Sequence, residues 1–401
     1  MADLHDDHPD PLTRSITTSA SSSASSAVGE RDREPPADAE TDAETDAVVD
    51  LFDRELDAYE RALALLARHP VLDGFNTLAR SYAGPRAHDV ERGESALDAD
   101  LPRIKAGGVG AQFWALHPAA GSDDDGAVTE TLRQLDAIRA LIDDCPDELR
   151  LALSAGDLAE ARNRGRIGSL LGPVSGPALG DSLGTLRAYH ALGVRAAGLA
   201  GAGWTRGEDG LSAFGQDVVR EMNRLGVLVD LAGCGADTAR RVLAVTRAPV
   251  LFTHSGARAL TDHPANVPDE VLALLPPNGG VCLVGFAPDQ VARGGAAATV
   301  RDVADHLDHV REVAGPEAVG LSGMFGREAS LPCTQGLEDA SCYPELIAEL
   351  FHRDWSEPDL AALTWGNAAR VIRETEFVAR AERNRDRQQA QRQKGWPAGS
   401  A

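Results

Sequence analysis

Residues 213–254 read AFGQDVVREMNRLGVLVDLAGCGADTARRVLAVTRAPVLFTH, and their pattern decides the fold. Ala213–Leu225 sets Phe214, Val218, Val219, Met222 and Leu225 at helical spacing among polar residues. Gly226 then interrupts, and Val227–Ala232 follows as a short apolar run of strand length. The cycle repeats at once: Ala236–Val245 has a helical period and Pro249–His254 is another apolar run. Helix and strand alternate through short connections, which predicts a parallel sheet.

The same alternation extends in both directions. Further strands are predicted at Val71–Phe75, Gly107–Leu116, Ile167–Gly172, Val194–Ala200, Gly280–Phe286 and Ala318–Met324. Helical patterns at Ala127–Asp144, Leu179–Leu192, Val300–Val313 and Tyr343–Phe351 fill the gaps. Eight strands with intervening helices, over about 300 residues, predict an α/β fold of the (β/α)8 TIM-type barrel class. A doubly wound open sheet is the rival, but no Gly-rich phosphate loop follows the first strand, where that fold carries its fingerprint.

The flanks differ in composition. Residues 1–47 are rich in Ser, Ala, Pro and acids, with twelve acidic residues against three Arg and almost nothing to bury, so we read them as a disordered acidic tail. The barrel domain is assigned to residues 48–378, led by an amphipathic helix over Ala47–Arg68. Residues 379–401 form a polar C-terminal extension, with Arg380–Lys394 read as a fraying continuation of the last helix.

Charge and cysteine usage exclude several functions. The net charge of −23 argues against a nucleic-acid surface and against a polybasic membrane anchor. No apolar run approaches the roughly 18 residues that a membrane span needs, and the N-terminus has neither a basic n-region nor an apolar h-region. Five widely spaced cysteines without a CxxC pair fit reduced thiols, hence an expected cytoplasmic location.

In such barrels the chemistry sits at the C-terminal ends of the strands. Read in order, those ends are Asp73-Gly-Phe75-Asn-Thr77, Gly172-Pro-Val174, Ala200-Gly201, Leu231-Ala-Gly233-Cys234, Thr253-His254-Ser255 and Gly323-Met324-Phe325. A hydrolytic metal site needs several His and carboxylate ligands converging on the ion. Here one imidazole stands among apolar or absent side chains.

Several long stretches resemble the membrane (renal-type) dipeptidase family, zinc peptidases of the amidohydrolase-like barrel class. They are Asp73-Gly-x-Asn76, Gly107-Gly-Val-Gly-Ala-Gln-Phe-Trp114, FGQDVVREMNRLGVLVDL, APVLFTHSGARAL, HPANVPDEVL, DHLDHVREVAG and GLEDASCYPELIAELFHRDWSEPDL, in that order from about Val71 to Arg373. The resemblance implies a metal-dependent-hydrolase-like barrel, a two-zinc metallodipeptidase activity and a homodimer.

It also implies a ligand set, and the chain departs from it. The family's first strand ends Asp-Gly-His-Asn-Asp, with the His and second Asp on zinc; this chain has Phe75 and Thr77 there. The bridging Glu falls on Val174, and the His of Leu-Ser-His falls on Gly233. His254 is the one retained ligand. Of the substrate-binding positions, a His becomes Gly201, a carboxylate-clamping Arg becomes Ala265, and an Asp after the eighth strand becomes Met324. We therefore expect the two-zinc route to be lost and no cofactor to be required, zinc returning only if the family activity persists.

The surviving residues admit alternatives. His254 reads as a relict ligand, a general base or a hydrogen-bonded barrel histidine. Cys234 reads as its nucleophilic partner or as an inert thiol. Asp73 and Asp230 read as helpers to a single metal or as acceptors of backbone N–H bonds. Phe75, Val174, Trp204 and Met324 read as the lining of an apolar ligand pocket or as core. Asp262, His263, His306 and His309 read as scaffold.

Three functions remain open at this level. One is a binding or scaffold protein that has lost the zinc site, taking a small peptide or amino-acid-derived ligand and pairing as a homodimer or with an active paralogue. Another is a metal-free hydrolase or lyase built on His254. The third is the family's dipeptide hydrolysis with ligands supplied from elsewhere.

Overall fold

The structure is a computed structural model that describes residues 57–84, 89–118, 124–205, 210–295 and 297–394. The acidic tail and the start of the lead-in helix lie outside the described residues; residues 57–68, here α1, are helical. The strands are β1 (Val71–Asn76), β2 (Val109–Leu116), β3 (Leu149–Leu151), β4 (Ile167–Val174), β5 (Ala196–Gly198), β6 (Leu228–Asp230), β7 (Val250–Ser255), β8 (Val281–Gly285) and β9 (Val319–Ser322). The main helices are α2 (Asp124–Asp144), α3 (Ala155–Asn163), α4 (Leu183–Ala191), α5 (Ala213–Leu225), α6 (Ala236–Val245), α7 (Val300–Ala314), α8 (Tyr343–His352) and α9 (Asn367–Lys394).

Every strand pairing is parallel, in the order β1-β2-β4-β5-β6-β7-β8-β9, with β3 attached to the first half of β4. This is the expected eight-stranded barrel plus one short extra strand. Parallel strands covered by helices are buried on both faces, and β1, β4 and β8 are buried at every position. Leu72, Phe113, Leu170, Leu251 and Leu283 fill the barrel interior, and Ala368, Val371 and Ile372 at the start of α9 join this cluster. The complementary faces, such as Val71, Trp114, Val229 and Val284, pack outward with the helices.

Between β1 and β9 no ladder is formed among the described residues, and side chains bridge the gap instead. Asp73 accepts the Phe75 and Gly323 N–H groups at 3.1 and 2.9 Å, and Thr77 donates its hydroxyl to the Phe325 carbonyl at 3.1 Å, beside a backbone bond from its own N–H. Asp98 accepts the Gly326 and Arg327 N–H groups at 2.6 and 2.8 Å, holding the loop that leaves β9.

Two local expectations need correction. The single helix expected over Leu179–Leu192 is broken: Gly180 turns left-handed at φ 54°, and Ser182 caps a new helix by accepting the Gly184 and Thr185 N–H groups. The second strand starts two residues later than expected, because Gly107 closes the helix Leu101–Ala106.

Candidate functional site

His254 stands near the end of β7, half-buried, with its ring tilted against Phe75 from the end of β1 at a centroid separation of 4.0 Å. A second imidazole, His117, follows β2 and meets the Phe75 ring edge-on at 5.1 Å. The two imidazoles are 6.3 Å apart, so the Phe75 phenyl packs against both. His117 was not among the residues singled out from sequence. The residue directly after the second strand carried the signal, since the strand-end rule applies there as at the others.

A hydrogen-bond chain fixes the orientation of His254. Asp230, buried at the end of β6, accepts from the Ala232 N–H, the Thr253 N–H and the Thr253 hydroxyl, the last at 2.7 Å. The Thr253 oxygen is 2.8 Å from His254 Nδ1. A hydroxyl has one proton to give, so with Asp230 ionised that oxygen accepts and Nδ1 carries the hydrogen. Nε2 is then the lone-pair nitrogen, and it has no partner among the described residues.

Burial sets the protonation states. Loss of solvent, reinforced by His117 beside it, pulls the His254 imidazole down to about 3. Burial and then Arg80 pull His117 down to about 4. Desolvation pushes Asp73 and Asp230 up to about 6 against the hydrogen bonds they accept. Both imidazoles are thus neutral near pH 7, and His254 is a poor proton acceptor there. Their ring protons are expected to show no titration between pH 5 and 8 in NMR spectra. A midpoint near 6.5 for either ring would overturn this assignment.

The remaining residues fall into place around this cluster. Val174 is fully buried and Phe75 is 4% exposed, whereas Thr77, Met324 and Ala265 are half-buried. Gly201 and Gly233 are exposed, both with positive φ, at 82° and 75°. Met324 also has positive φ, 56°, a conformation disfavoured for its side chain. Trp204 packs edge-on with Phe214 and leaves its indole N–H buried without a partner among the described residues. The Cys234 thiol is pushed well above its ordinary value by burial and by the Asp230 carboxylate, the opposite of what a nucleophile needs, and it makes no hydrogen bond to His254.

Asp73 and Asp230 both spend their carboxylates on backbone and hydroxyl donors. His306 accepts the Ala257 N–H at 2.8 Å and faces the Val291 carbonyl, while His309 and His263 contact Asp269 and Asp289. Asp262 pairs with Arg258. These four hold the loop after β7 and its neighbours.

A two-zinc centre does not fit these side chains. Among the described residues no three His, Cys, Asp or Glu side chains converge. A zinc held at about 2.0–2.1 Å from a histidine nitrogen needs further donors around it, and here the face of the imidazole is covered by a phenyl ring.

Comparison with known proteins decides the ancestry. Residues 59–386 match the family described as membrane dipeptidase, peptidase family M19. The chain belongs to the membrane dipeptidase family. Dipeptidase 3 of Homo sapiens is 39% identical over 345 residues, covering 81% of this chain and 69% of the relative. Dipeptidase aclJ of Aspergillus oryzae is 38% identical over 341 residues, covering 79% and 80%.

Among solved structures, the probable dipeptidase PvdM from Pseudomonas aeruginosa superposes with a TM-score of 0.74 at 21% identity, covering 80% of this chain and 99% of that one. A metallo peptidase from Rhodobacter sphaeroides, liganded with a phosphinate mimic of the dipeptide L-Ala-D-Ala, superposes at 0.70 with 22% identity, covering 76% and 99%. At these identities the superpositions establish the barrel. The site must be argued from its own residues.

Proposed function

We propose that this member of the membrane dipeptidase family has given up two-zinc hydrolysis and uses the strand-end site for binding. The observation that carries the reading is the donor count: His254 stands without convergent carboxylates or thiolates among the described residues. Two imidazoles 6.3 Å apart, with no carboxylate to join them in a group of three, cannot offset the desolvation of two divalent cations.

What replaces the donors favours a small ligand with an apolar part. Phe75, Met324 and the two neutral imidazoles present hydrocarbon and aromatic surface, and His254 Nε2 offers a single acceptor to a donor such as an amide or amino group. A small peptide or amino-acid-derived molecule has that chemistry. Pairing as a homodimer or with an active paralogue, in a reducing cytoplasm where five free thiols persist, goes with this reading.

The test is zinc content by elemental analysis, before and after zinc reconstitution, together with turnover of a dipeptide panel. Less than a stoichiometric zinc and no turnover are expected. Two tightly bound zincs with hydrolysis would return the chain to the family's metallodipeptidase activity. Metal-free turnover abolished by His254→Ala would move it to the hydrolase or lyase reading, which the fixed tautomer of His254 alone favours.

A further inference from the structure

A cleft of about 300 Å³ opens at the base of the barrel, on the face opposite the strand ends. Its wall is apolar, formed by Leu170 and Leu228 from the strands and Ile372 from α9. Its rim is cationic, with Arg195, Arg380 and Arg383 converging beside His190. In a chain of net charge −23, three arginines around one cleft are a marked local reversal.

Glu376 and Asp157 act on the charge of Arg195, whereas Arg380 and Arg383 have no carboxylate partner among the described residues. Arg195 directs Nε to the Leu153 carbonyl and Nη1 to the His190 and Val194 carbonyls, which leaves Nη2 without a bond among the described residues. Arg383 directs Nη1 to the Arg224 and Leu225 carbonyls at the end of α5. Arg380 has no hydrogen-bond or ion-pair partner among the described residues.

Glu376, the carboxylate in the lining, accepts the Ala155 N–H at 2.6 Å in the first turn of α3. Nearby Asp157 is held by the Leu153 N–H and the Ser154 hydroxyl. Each acid is held by donors at the start of α3 and also faces Arg195, so the guanidinium groups left free of acids are those of Arg380 and Arg383. Consistent with a positive field, His190 is pushed down by burial and by Arg195, Arg383 and Arg224, against Glu221 alone.

We propose that this cleft is a binding site for a small organic carboxylate with an apolar body. Guanidinium groups offer paired N–H donors that match a carboxylate, and the leucine and isoleucine wall takes the hydrocarbon. The site is separate from the strand-end cluster, so its occupation does not depend on any chemistry there. At the base of the barrel, where conserved packing ordinarily serves stability, a bound anion would tie α9 to the strands.

The test is calorimetric titration of the full chain with hexanoate, hexan-1-ol and inorganic phosphate. Saturable binding of hexanoate at one site per chain is expected, with hexan-1-ol silent and phosphate weaker. Arg380→Glu, a change at an exposed and unpaired position, is expected to weaken hexanoate by about tenfold or more while leaving the ligand-free Tm unchanged. Arg383→Gln should weaken it less, because one of three cations is then neutral rather than reversed. No saturable hexanoate binding, phosphate equal to hexanoate, or an Arg380→Glu affinity matching wild type would each overturn the proposal.

Discussion

A variant carrying Phe75→His, Thr77→Asp, Val174→Glu and Gly233→His is expected to take up zinc and to depend on it for stability, whereas the wild-type Tm is expected to be indifferent to both zinc and EDTA. The four positions are those onto which the resemblance to the family would place metal ligands, and His254 would supply the fifth. Without metal the variant should be weak. Val174 is fully buried, so a carboxylate there is desolvated without a counter-charge, at a cost of several kcal/mol. Gly233 has φ 75°, where any side chain is strained by about 1–2 kcal/mol, and a Cβ there would stand 3.3 Å from that of Ala200.

Zinc reverses part of that loss by mass action. At a free concentration a hundredfold above Kd it restores about 2.7 kcal/mol for each site, which a thermal melt resolves easily. A folded variant that stays zinc-free would mean that these four positions do not converge, and the ligand set implied by the resemblance would be wrong. A wild-type melt that moves with EDTA would mean that the native chain already holds metal through residues outside the described cluster.

The barrel was legible because its information is local. The helical period of Ala213–Leu225, the break at Gly226 and the apolar run of Val227–Ala232 are all read within a few residues, and α5 and β6 form there. β3 escaped because three residues, Leu149–Leu151, are too few for any period. The break inside Leu179–Leu192 escaped because both sides have helical spacing, and the left-handed Gly180 that separates them is a backbone property.

The site was legible only in part, for a different reason. Strand-end position singles out Phe75 and His254, and the fold brings their rings to 4.0 Å. The role of Thr253 as the link between Asp230 and His254 depends on the register of β6 against β7, which joins residues 23 apart. The basal cleft could not be read at all, since Arg195 and Arg380 line one cleft only because α9 packs against the barrel strands.

Asp73→Ala is expected to be among the most damaging single substitutions, at about 2–5 kcal/mol. Asp73 is 1% exposed and one of its oxygens receives both the Phe75 and the Gly323 N–H groups, across the seam where β1 and β9 form no ladder. Truncation leaves two buried donors unpaired, at about 1–3 kcal/mol each. Asp73→Asn keeps an acceptor oxygen in place and should cost much less. The charge itself is a burden in this position, since burial raises the carboxyl from 3.8 to about 6.

The sign of the pH dependence follows. Between about pH 4 and 6 the folded state holds a proton at Asp73 that the unfolded chain has released, so this group's contribution to stability falls as pH rises through that window. The Asn variant has no such proton, and its deficit against wild type should therefore shrink as pH rises from 4 to 7. Chemical denaturation of wild type, Asp73→Asn and Asp73→Ala at pH 4.5 and 7 measures all of this. Equal losses for Asn and Ala would show that the negative charge, rather than the accepted hydrogen bonds, holds the seam. A loss below about 0.5 kcal/mol for Ala would show that the barrel closes without Asp73.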